Sequence, residues 1–89
     1  MKRAYFLYCY DEPHEGIVVV ATSSQEARKL RWRGILGTDS FFDVRAKWVR
    51  RHIYTCEPID VSDKPIGYEF PLREGIDRGV YLDENRIDG

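Results

Sequence analysis

Two apolar runs separated by a polar stretch open the chain. Residues 4–10 are aromatic or apolar at both odd and even positions, which is typical of a strand covered on both faces. Residues 17–21 are apolar throughout, and their valines favour a second strand. Residues 11–16 are polar and contain a proline and a glycine, so they predict a connecting loop. The pattern therefore predicts an antiparallel N-terminal hairpin.

A helix is predicted immediately after this hairpin. Ser23 and Glu26 have the spacing of a capping box, in which the two side chains bind N–H groups at the start of a helix. Residues 25–31 are strong helix formers, and their basic members lie towards the negative end of the helix dipole. Either Gly34 or Gly37 is expected to end the helix, because glycine readily adopts the left-handed conformation of a C-cap.

A third strand is predicted over residues 41–51. Apolar and polar side chains alternate strictly along residues 42–48, as they do in a half-buried strand. The alternation predicts that the core-facing side chains are Phe42, Val44, Ala46 and Trp48 and that the solvent-facing side chains are Asp43, Arg45 and Lys47.

The last third of the chain is predicted to be irregular, because prolines and glycines recur from residue 57 onwards. Residues 68–70 and 80–82 are compatible with the short strands of a second hairpin, and residues 72–78 are alternatively compatible with one helical turn. The apolar residues of this region are predicted to cover the second face of the hairpin.

The element order β-β-α-β predicts a small α+β domain with one helix packed on a sheet and an irregular C-terminal third. We expect residues 1–83 to form this single domain and residues 84–89 to be a frayed tail. Its predicted core consists of Tyr5, Phe6, Leu7, Val18, Val20, Ala27, Leu30, Val44, Ala46 and Trp48.

The composition agrees with a folded domain and argues against a membrane protein. Hydrophobic residues make up 43% of the 89 positions, too many for a disordered chain. The longest apolar runs are far shorter than the roughly 20 residues that span a bilayer. Met1, Lys2 and Arg3, followed by so short an apolar run, make a poor signal peptide. We therefore expect a cytoplasmic protein with no membrane partner.

Charge is segregated along the chain, although the net charge is only −1. Residues 1–26 sum to −2, residues 27–51 to +6 and residues 52–89 to −5. Such segregation favours a basic surface that faces an acidic partner or the acidic last third of the chain. The alternative is that the blocks interleave into an ordinary mixed surface once the chain folds.

The candidate binding surface combines Arg28, Trp32, Arg45 and Lys47. At about 100° per residue, Ala27 and Leu30 share the helix stripe that faces the sheet, so Trp32 points towards solvent near Arg28. Exposed tryptophan and arginine are typical of protein interfaces and of platforms for unstacked bases. The alternative is that the C-terminal segment folds over the helix and buries Trp32.

These residues predict a non-catalytic interaction module, such as a small regulator or inhibitor of a larger protein. A virus or mobile element is one setting consistent with the small size and the lack of a catalytic motif. Nucleic-acid binding by the same surface is the second hypothesis. A homodimer is expected instead if the second face of the hairpin is exposed and apolar.

A zinc-stabilised fold is the third hypothesis. The soft metal ligands form two pairs, Cys9 with His14 and His52 with Cys56, which would complete a tetrahedral site if the strands place them together. Neither spacing is the tight knuckle of a typical zinc site. Four residues along a strand also separate His52 from Cys56 by about 13 Å, too far for a nucleophile and its base. We therefore predict no enzyme activity, no cofactor and no metal-binding residues.

Overall fold

The computed structural model describes residues 1–10, 12–35, 38–52 and 57–71, with side chains for all of these except residues 12–15. Four antiparallel strands form one sheet in the order β3-β1-β2-β4, and one helix packs on it. The predicted α+β class is therefore confirmed. The elements are β1 (Arg3–Cys9), β2 (Glu12–Ala21), α1 (Ser24–Arg31), β3 (Val44–Val49) and β4 (Glu69–Phe70), with short 3-10 turns at Trp32–Gly34 and Phe41–Asp43.

The N-terminal hairpin forms, but its connection is shorter than the predicted loop. Strand β2 already begins at Glu12, so the prediction of a loop over residues 11–16 is wrong for residues 12–16, and residue 11 lies outside the described residues. Leu7 pairs with Ile17 and Cys9 pairs with Glu12, which leaves three additional residues on β2 between the two pairs. This bulge accommodates the proline and glycine that made the segment resemble a loop.

Gly16 is buried where the bulge rejoins the regular ladder. A Cβ atom at this position would overlap the ring of Phe6 and the backbone carbonyl of Leu7. The close approach of two strands therefore requires a residue without a side chain at this position.

Strand β1 packs on both faces, as its two-sided apolar pattern predicts. One face contributes to the helix-face cluster, which consists of Tyr5, Leu7, Cys9, Ile17, Val19, Ala21, Ala27, Ile35 and Val44. The opposite face contributes to the second cluster, which consists of Ala4, Phe6, Val18 and Val49. Ile59, Val61 and Phe70 pack against the second cluster, which confirms that the C-terminal segment covers this face of the hairpin.

The helix begins as predicted. The Ser23 hydroxyl accepts a hydrogen bond from the Glu26 N–H at 3.1 Å. The Glu26 carboxylate accepts one from the Thr22 N–H at 2.7 Å and another from the Thr22 hydroxyl at 2.9 Å. The backbone bond from Thr22 is the main reason that the pKa of Glu26 is lowered. This carboxylate thus reaches one residue beyond the usual capping-box partner.

Leu30 does not belong to the core as predicted, because its side chain is 42% exposed. Helix α1 ends at Arg31, and the 3-10 turn that follows changes the direction of the side chains. Trp32 and Ile35 consequently provide the contacts with the helix-face cluster that the helical stripe assigned to Leu30. Ala27 is the buried residue of the helix itself.

Strand β3 is shorter than predicted, and two of its assigned core residues are exposed. Residues 41–43 form a 3-10 turn rather than strand, which leaves Phe42 outside the sheet and 76% exposed. Trp48 is 39% exposed because β3 is an edge strand and has a neighbouring strand on one side only. Val44 is fully buried and Ala46 packs partly against the helix-face cluster, in agreement with the alternation.

Seven of the ten predicted core residues are buried: Tyr5, Phe6, Leu7, Val18, Val20, Ala27 and Val44. Leu30 and Trp48 from the predicted core are exposed, as is Phe42, which the alternation also placed on the core side, and Ala46 is partly buried. These errors lie where the chain leaves a regular element or reaches the edge of the sheet.

The fourth strand confirms a prediction for residues 68–70. Gly67 lies just before it with a φ of 91°, a conformation that favours glycine. Its N–H donates to the Val20 carbonyl at 2.8 Å, and its carbonyl accepts from the Arg31 Nη2 at 2.6 Å. The predictions for residues 72–78, 80–82 and 84–89 lie outside the described residues. No helix in the described part of the chain is long and apolar enough to cross a membrane.

Candidate functional site

The structure brings together two of the four residues predicted to form the binding surface. Arg28 on α1 and Arg45 on β3 both reach the 3-10 turn at Phe41–Asp43. The Arg28 Nη2 donates to the Phe41 carbonyl at 3.3 Å, and the Arg45 Nη1 donates to the Phe42 carbonyl at 3.1 Å. Two guanidinium groups from different elements therefore hold the same turn.

The other two predicted residues lie elsewhere. Trp32 is half-buried because it packs against the helix-face cluster, most of whose residues lie on the sheet. The guanidinium carbon of Arg33 lies 4.8 Å from its ring centroid. Lys47 pairs opposite Phe6 and alternates with Trp48, which places it on the face of the sheet away from α1. The four residues therefore do not form one continuous surface.

Aromatic side chains surround the turn that the two arginines hold. We call this region the turn surface, formed by Tyr10, Arg28, Phe41, Phe42 and Arg45. Tyr10 is 55% exposed and Phe42 is 76% exposed. The rings of Phe41 and Phe42 meet edge-on with centroids 5.6 Å apart. The guanidinium carbon of Arg28 lies 4.3 Å from the Phe41 centroid, and that of Arg45 lies 5.4 Å from the Tyr10 centroid.

Three further hydrogen bonds fix the backbone of the turn. The Ser40 hydroxyl accepts from the Phe42 N–H at 3.1 Å, and the Ser40 carbonyl accepts from the Asp43 N–H at 3.0 Å. The Asp43 carbonyl accepts from the Tyr10 N–H at 3.3 Å, which ties the turn to the hairpin. The Nε atom of Arg28 is buried without a hydrogen-bond partner, which shows how closely this side chain is packed. Phe42 is thus presented to solvent on a rigid support.

A second exposed aromatic lies at the opposite end of the sheet, where β1 begins and β3 ends. We call it the Trp48 surface, formed by Arg3, Trp48 and Arg50. The guanidinium carbons of Arg3 and Arg50 lie 3.9 Å and 4.2 Å from the Trp48 ring centroid. Because Trp48 pairs with Tyr5, strand alternation places all three side chains on the same face of the sheet.

The two guanidinium groups of the Trp48 surface differ from those of the turn surface. Among the described residues, the side chains of Arg3 and Arg50 form no hydrogen bond or ion pair, and both stack on Trp48. Within this part of the chain, no acceptor binds their guanidinium N–H donors. Sequence reasoning missed this site because it depends on the pairing of two strands that are far apart in the chain. The only local signal of this site was the spacing of Trp48 and Arg50, which lie two residues apart and therefore share a face of a strand.

An open groove of about 220 Å³ adjoins the Trp48 surface at the edge of the sheet. Three of its lining residues are basic, and none is acidic. The lining consists of Met1, Lys2, Arg3, Ala4, Trp48, Val49, Arg50, Ile59 and Val61.

Lys2 and Asp60 are both engaged near this groove. The Lys2 Nζ donates to the backbone carbonyls of Ser62 at 3.1 Å and Lys64 at 2.6 Å, so its charge is not neutralised by a direct ion pair among the described residues. The Asp60 carboxylate accepts from the Ser62 N–H at 2.9 Å and from the Ser62 hydroxyl at 2.7 Å. The first of these bonds is the main reason that the pKa of Asp60 is lowered.

The zinc hypothesis involves residues that the structure describes only in part. Cys9 is buried in the helix-face cluster, and His52 is half-buried. The side chain of His14 and the whole of Cys56 lie outside the described residues. Within the described part of the chain, no three potential metal ligands form a cluster.

No protein-family model, curated protein or solved structure matches this chain. An α+β fold alone does not assign a function, whereas the side chains of the turn surface and the Trp48 surface indicate what each could bind.

Proposed function

We propose that this chain is a non-catalytic interaction module that binds a partner protein through the turn surface. The observation that carries the proposal is the 76% exposure of Phe42 on a turn that hydrogen bonds hold in place. The non-catalytic part of the proposal comes from the sequence, in which no acid–base pair or activated nucleophile can be assigned.

An exposed phenylalanine on a rigid turn is suited to act as an anchor residue. Aromatic side chains and arginine are enriched at protein interfaces, and the residues that dominate binding insert into pockets of the partner. Binding also costs conformational entropy for every group that becomes ordered. Because the backbone around Phe42 is already fixed by Ser40 and Arg45, little of this cost remains.

The neighbouring groups support the same function. Tyr10 and Phe41 extend the apolar contact area around Phe42, and Tyr10 carries a hydroxyl suited to a polar rim. Arg28 and Arg45 border these rings and form no ion pair among the described residues. The expected partner surface therefore has an apolar pocket for Phe42 and hydrogen-bond acceptors at its rim.

Two other exposed apolar side chains provide matched controls. Leu30 and Ile66 are each 42% exposed, but neither has the aromatic neighbours of Phe42. Single exposed apolar residues are common on soluble proteins and do not by themselves indicate an interface.

The proposal is tested by placing a photo-crosslinking phenylalanine analogue at residue 42 in the cells that produce this protein. The analogue retains an aromatic ring, so binding should persist and a discrete crosslinked partner should form. The same analogue at residue 30 or residue 66 should not capture this partner. With the isolated partner, Phe42→Ala should weaken binding at least roughly thirtyfold, the loss typical of an interface hot spot.

The folded state of each variant is checked by circular dichroism, since Phe42→Ala should leave it unchanged. Crosslinking that is equally strong from all three positions, or no discrete adduct from residue 42, would contradict the proposal. Equal affinity of the wild-type protein and Phe42→Ala for the captured partner would also contradict it.

A further inference from the structure

We infer that the Trp48 surface, together with the groove beside it, binds single-stranded nucleic acid. In this arrangement an unpaired base stacks on the Trp48 ring, and the guanidinium groups of Arg3 and Arg50 contact the adjoining phosphates. The inference goes beyond the proposed function, because it concerns another end of the sheet, other residues and another class of ligand.

The arrangement of charge is the first argument. Lys2, Arg3 and Arg50 line the groove, whose lining contains no carboxylate. The side chains of Arg3 and Arg50 make no hydrogen bond or ion pair among the described residues, so no acceptor in this part of the chain occupies their N–H donors. Guanidinium groups bind phosphate oxygens in a bidentate manner, and several cations along one path follow a nucleic-acid backbone.

The position of the tryptophan is the second argument. Trp48 is 39% exposed at the edge of the sheet, and guanidinium carbons lie within 4.2 Å of its ring centroid. Guanidinium stacking at an exposed ring is weak, so a base can take the place of one arginine while that arginine turns to a phosphate. Aromatic platforms bordered by cations are the usual means by which proteins hold single strands.

The same geometry favours a single strand over other ligands. A duplex keeps its bases paired and offers no free base to the Trp48 ring. The groove volume of about 220 Å³ is below the roughly 300–1,000 Å³ of most small-molecule sites. An acidic peptide would satisfy Arg3 and Arg50 but would not need a flat aromatic ring. It therefore serves as a competing ligand in the test.

The test follows Trp48 fluorescence in the Trp32→Phe variant, so that only one tryptophan reports. The probes are oligothymidylate, a duplex of the same length and polyglutamate, each titrated at low and at physiological salt. Oligothymidylate should quench Trp48, and its affinity should fall as salt rises. The duplex and polyglutamate should quench it much less.

Variants then separate stacking from charge, with binding measured by the anisotropy of a labelled oligothymidylate. Trp48→Ala should weaken binding roughly tenfold, whereas Trp48→Phe should retain most of it. The double variant Arg3→Gln/Arg50→Gln should reduce the slope of log affinity against log salt by about 1.4, since each phosphate contact to a single strand contributes about 0.7. Arg33→Gln is the matched control, because its guanidinium lies beside Trp32 instead.

Several results would overturn the inference. An absence of quenching at low salt would do so, as would equal quenching by polyglutamate, which would indicate an acidic protein ligand. A slope reduced as much by Arg33→Gln as by either Arg3→Gln or Arg50→Gln would show that the charge effect is not local. Phe42→Ala should leave oligothymidylate binding unchanged, so this inference and the proposed function fail independently.

Discussion

The two ends of the sheet are built from the same residue types but use them differently. At the turn surface, Arg28 and Arg45 each donate a hydrogen bond to a backbone carbonyl of residues 41–42. At the Trp48 surface, the side chains of Arg3 and Arg50 stack on an aromatic ring and form no hydrogen bond among the described residues. The arginine side chains thus hold the backbone at one end of the sheet and only stack on a ring at the other.

This difference shows that an arginine next to an aromatic residue has no single meaning. Where the guanidinium is bonded to the backbone, it fixes the turn and leaves the apolar Phe42 as the main contact. Where the guanidinium is only stacked on a ring, its N–H donors and its positive charge would provide the main contact with a ligand. We therefore propose different ligands for the two surfaces, an apolar protein pocket at one end and an anionic single strand at the other.

The largest expected effect comes from a substitution that disturbs both ends. In Gly16→Ala the new methyl group would overlap the Phe6 ring and the Leu7 carbonyl. Forcing an additional group into a packed site typically costs about 1–3 kcal/mol, and overlap with a backbone carbonyl places this substitution at the upper end. Urea unfolding should show a loss of about this size, and binding at both surfaces should weaken together. A variant as stable as the wild-type protein would show that the bulge in β2 is looser than described.

The second prediction compares the two tryptophans. Trp32 packs against the helix-face cluster, so Trp32→Ala should lower the free energy of unfolding by about 2 kcal/mol. Trp48→Ala should lower it by less, because Trp48 is 39% exposed and packs against neither core cluster. Chemical denaturation of both variants measures the difference. The reverse order would contradict the assignment of Trp32 to the core and Trp48 to the surface.

The third prediction compares arginines at the two ends. Arg28→Ala removes a partly buried hydrogen bond to the Phe41 carbonyl and should destabilise the protein by about 1.5 kcal/mol. Arg50→Ala removes no hydrogen bond among the described residues and should change the stability by about 0.5 kcal/mol at most. Thermal and urea unfolding of the two variants provide the measurement. Equal losses would mean that the arginines of the two ends have the same structural role.

The smallest expected effect is a dependence of stability on pH, which arises from a carboxylate at the Trp48 end of the sheet. Helix α1 starts just after Ala21, which pairs with Arg3, so the Glu26 cap lies at this end. The pKa of Glu26 is lowered below 4.5 in the folded protein, chiefly by the backbone N–H of Thr22. Its stabilisation is therefore present above pH 4.5 and is lost as the pH falls through the folded pKa.

The variant Glu26→Gln tests this dependence. It should be less stable than the wild-type protein at neutral pH, and the difference should vanish in acid as the wild-type carboxylate becomes protonated. Urea unfolding across the acidic range measures both proteins. A difference that stays constant with pH would show that the charge of Glu26 does not contribute to the cap.

The sequence predicted the parts of the fold that depend on local periodicity. The two-sided pattern of residues 4–10 and the spacing of Ser23 and Glu26 specify a central strand and a helix start through neighbouring residues alone. The loop prediction was wrong for residues 12–16 because a bulge holds those residues in β2. Proline and glycine occur both in loops and in bulges, and only the pairing with β1 distinguishes the two.

The candidate sites were less predictable because each depends on contacts between distant segments. Helical periodicity extended beyond Arg31 placed Trp32 in solvent, whereas the chain leaves the α-helix at that point. Strand alternation correctly placed Trp48 on the helix-face side but carried no information about the edge position of β3. The grouping of Arg3 with Trp48 follows from strand pairing across more than forty residues, which no local pattern contains.

The central claim is that Trp48, and not Trp32, is the exposed tryptophan in a cationic environment. Collisional quenching of the single-tryptophan variants Trp32→Phe and Trp48→Phe tests it most directly, with iodide as the anionic quencher and caesium as the cationic one. We predict that iodide quenches Trp48 more strongly than it quenches Trp32. We also predict that caesium quenches Trp48 less strongly than iodide does. Stronger quenching of Trp32 by both ions, or no preference of Trp48 for iodide, would contradict it.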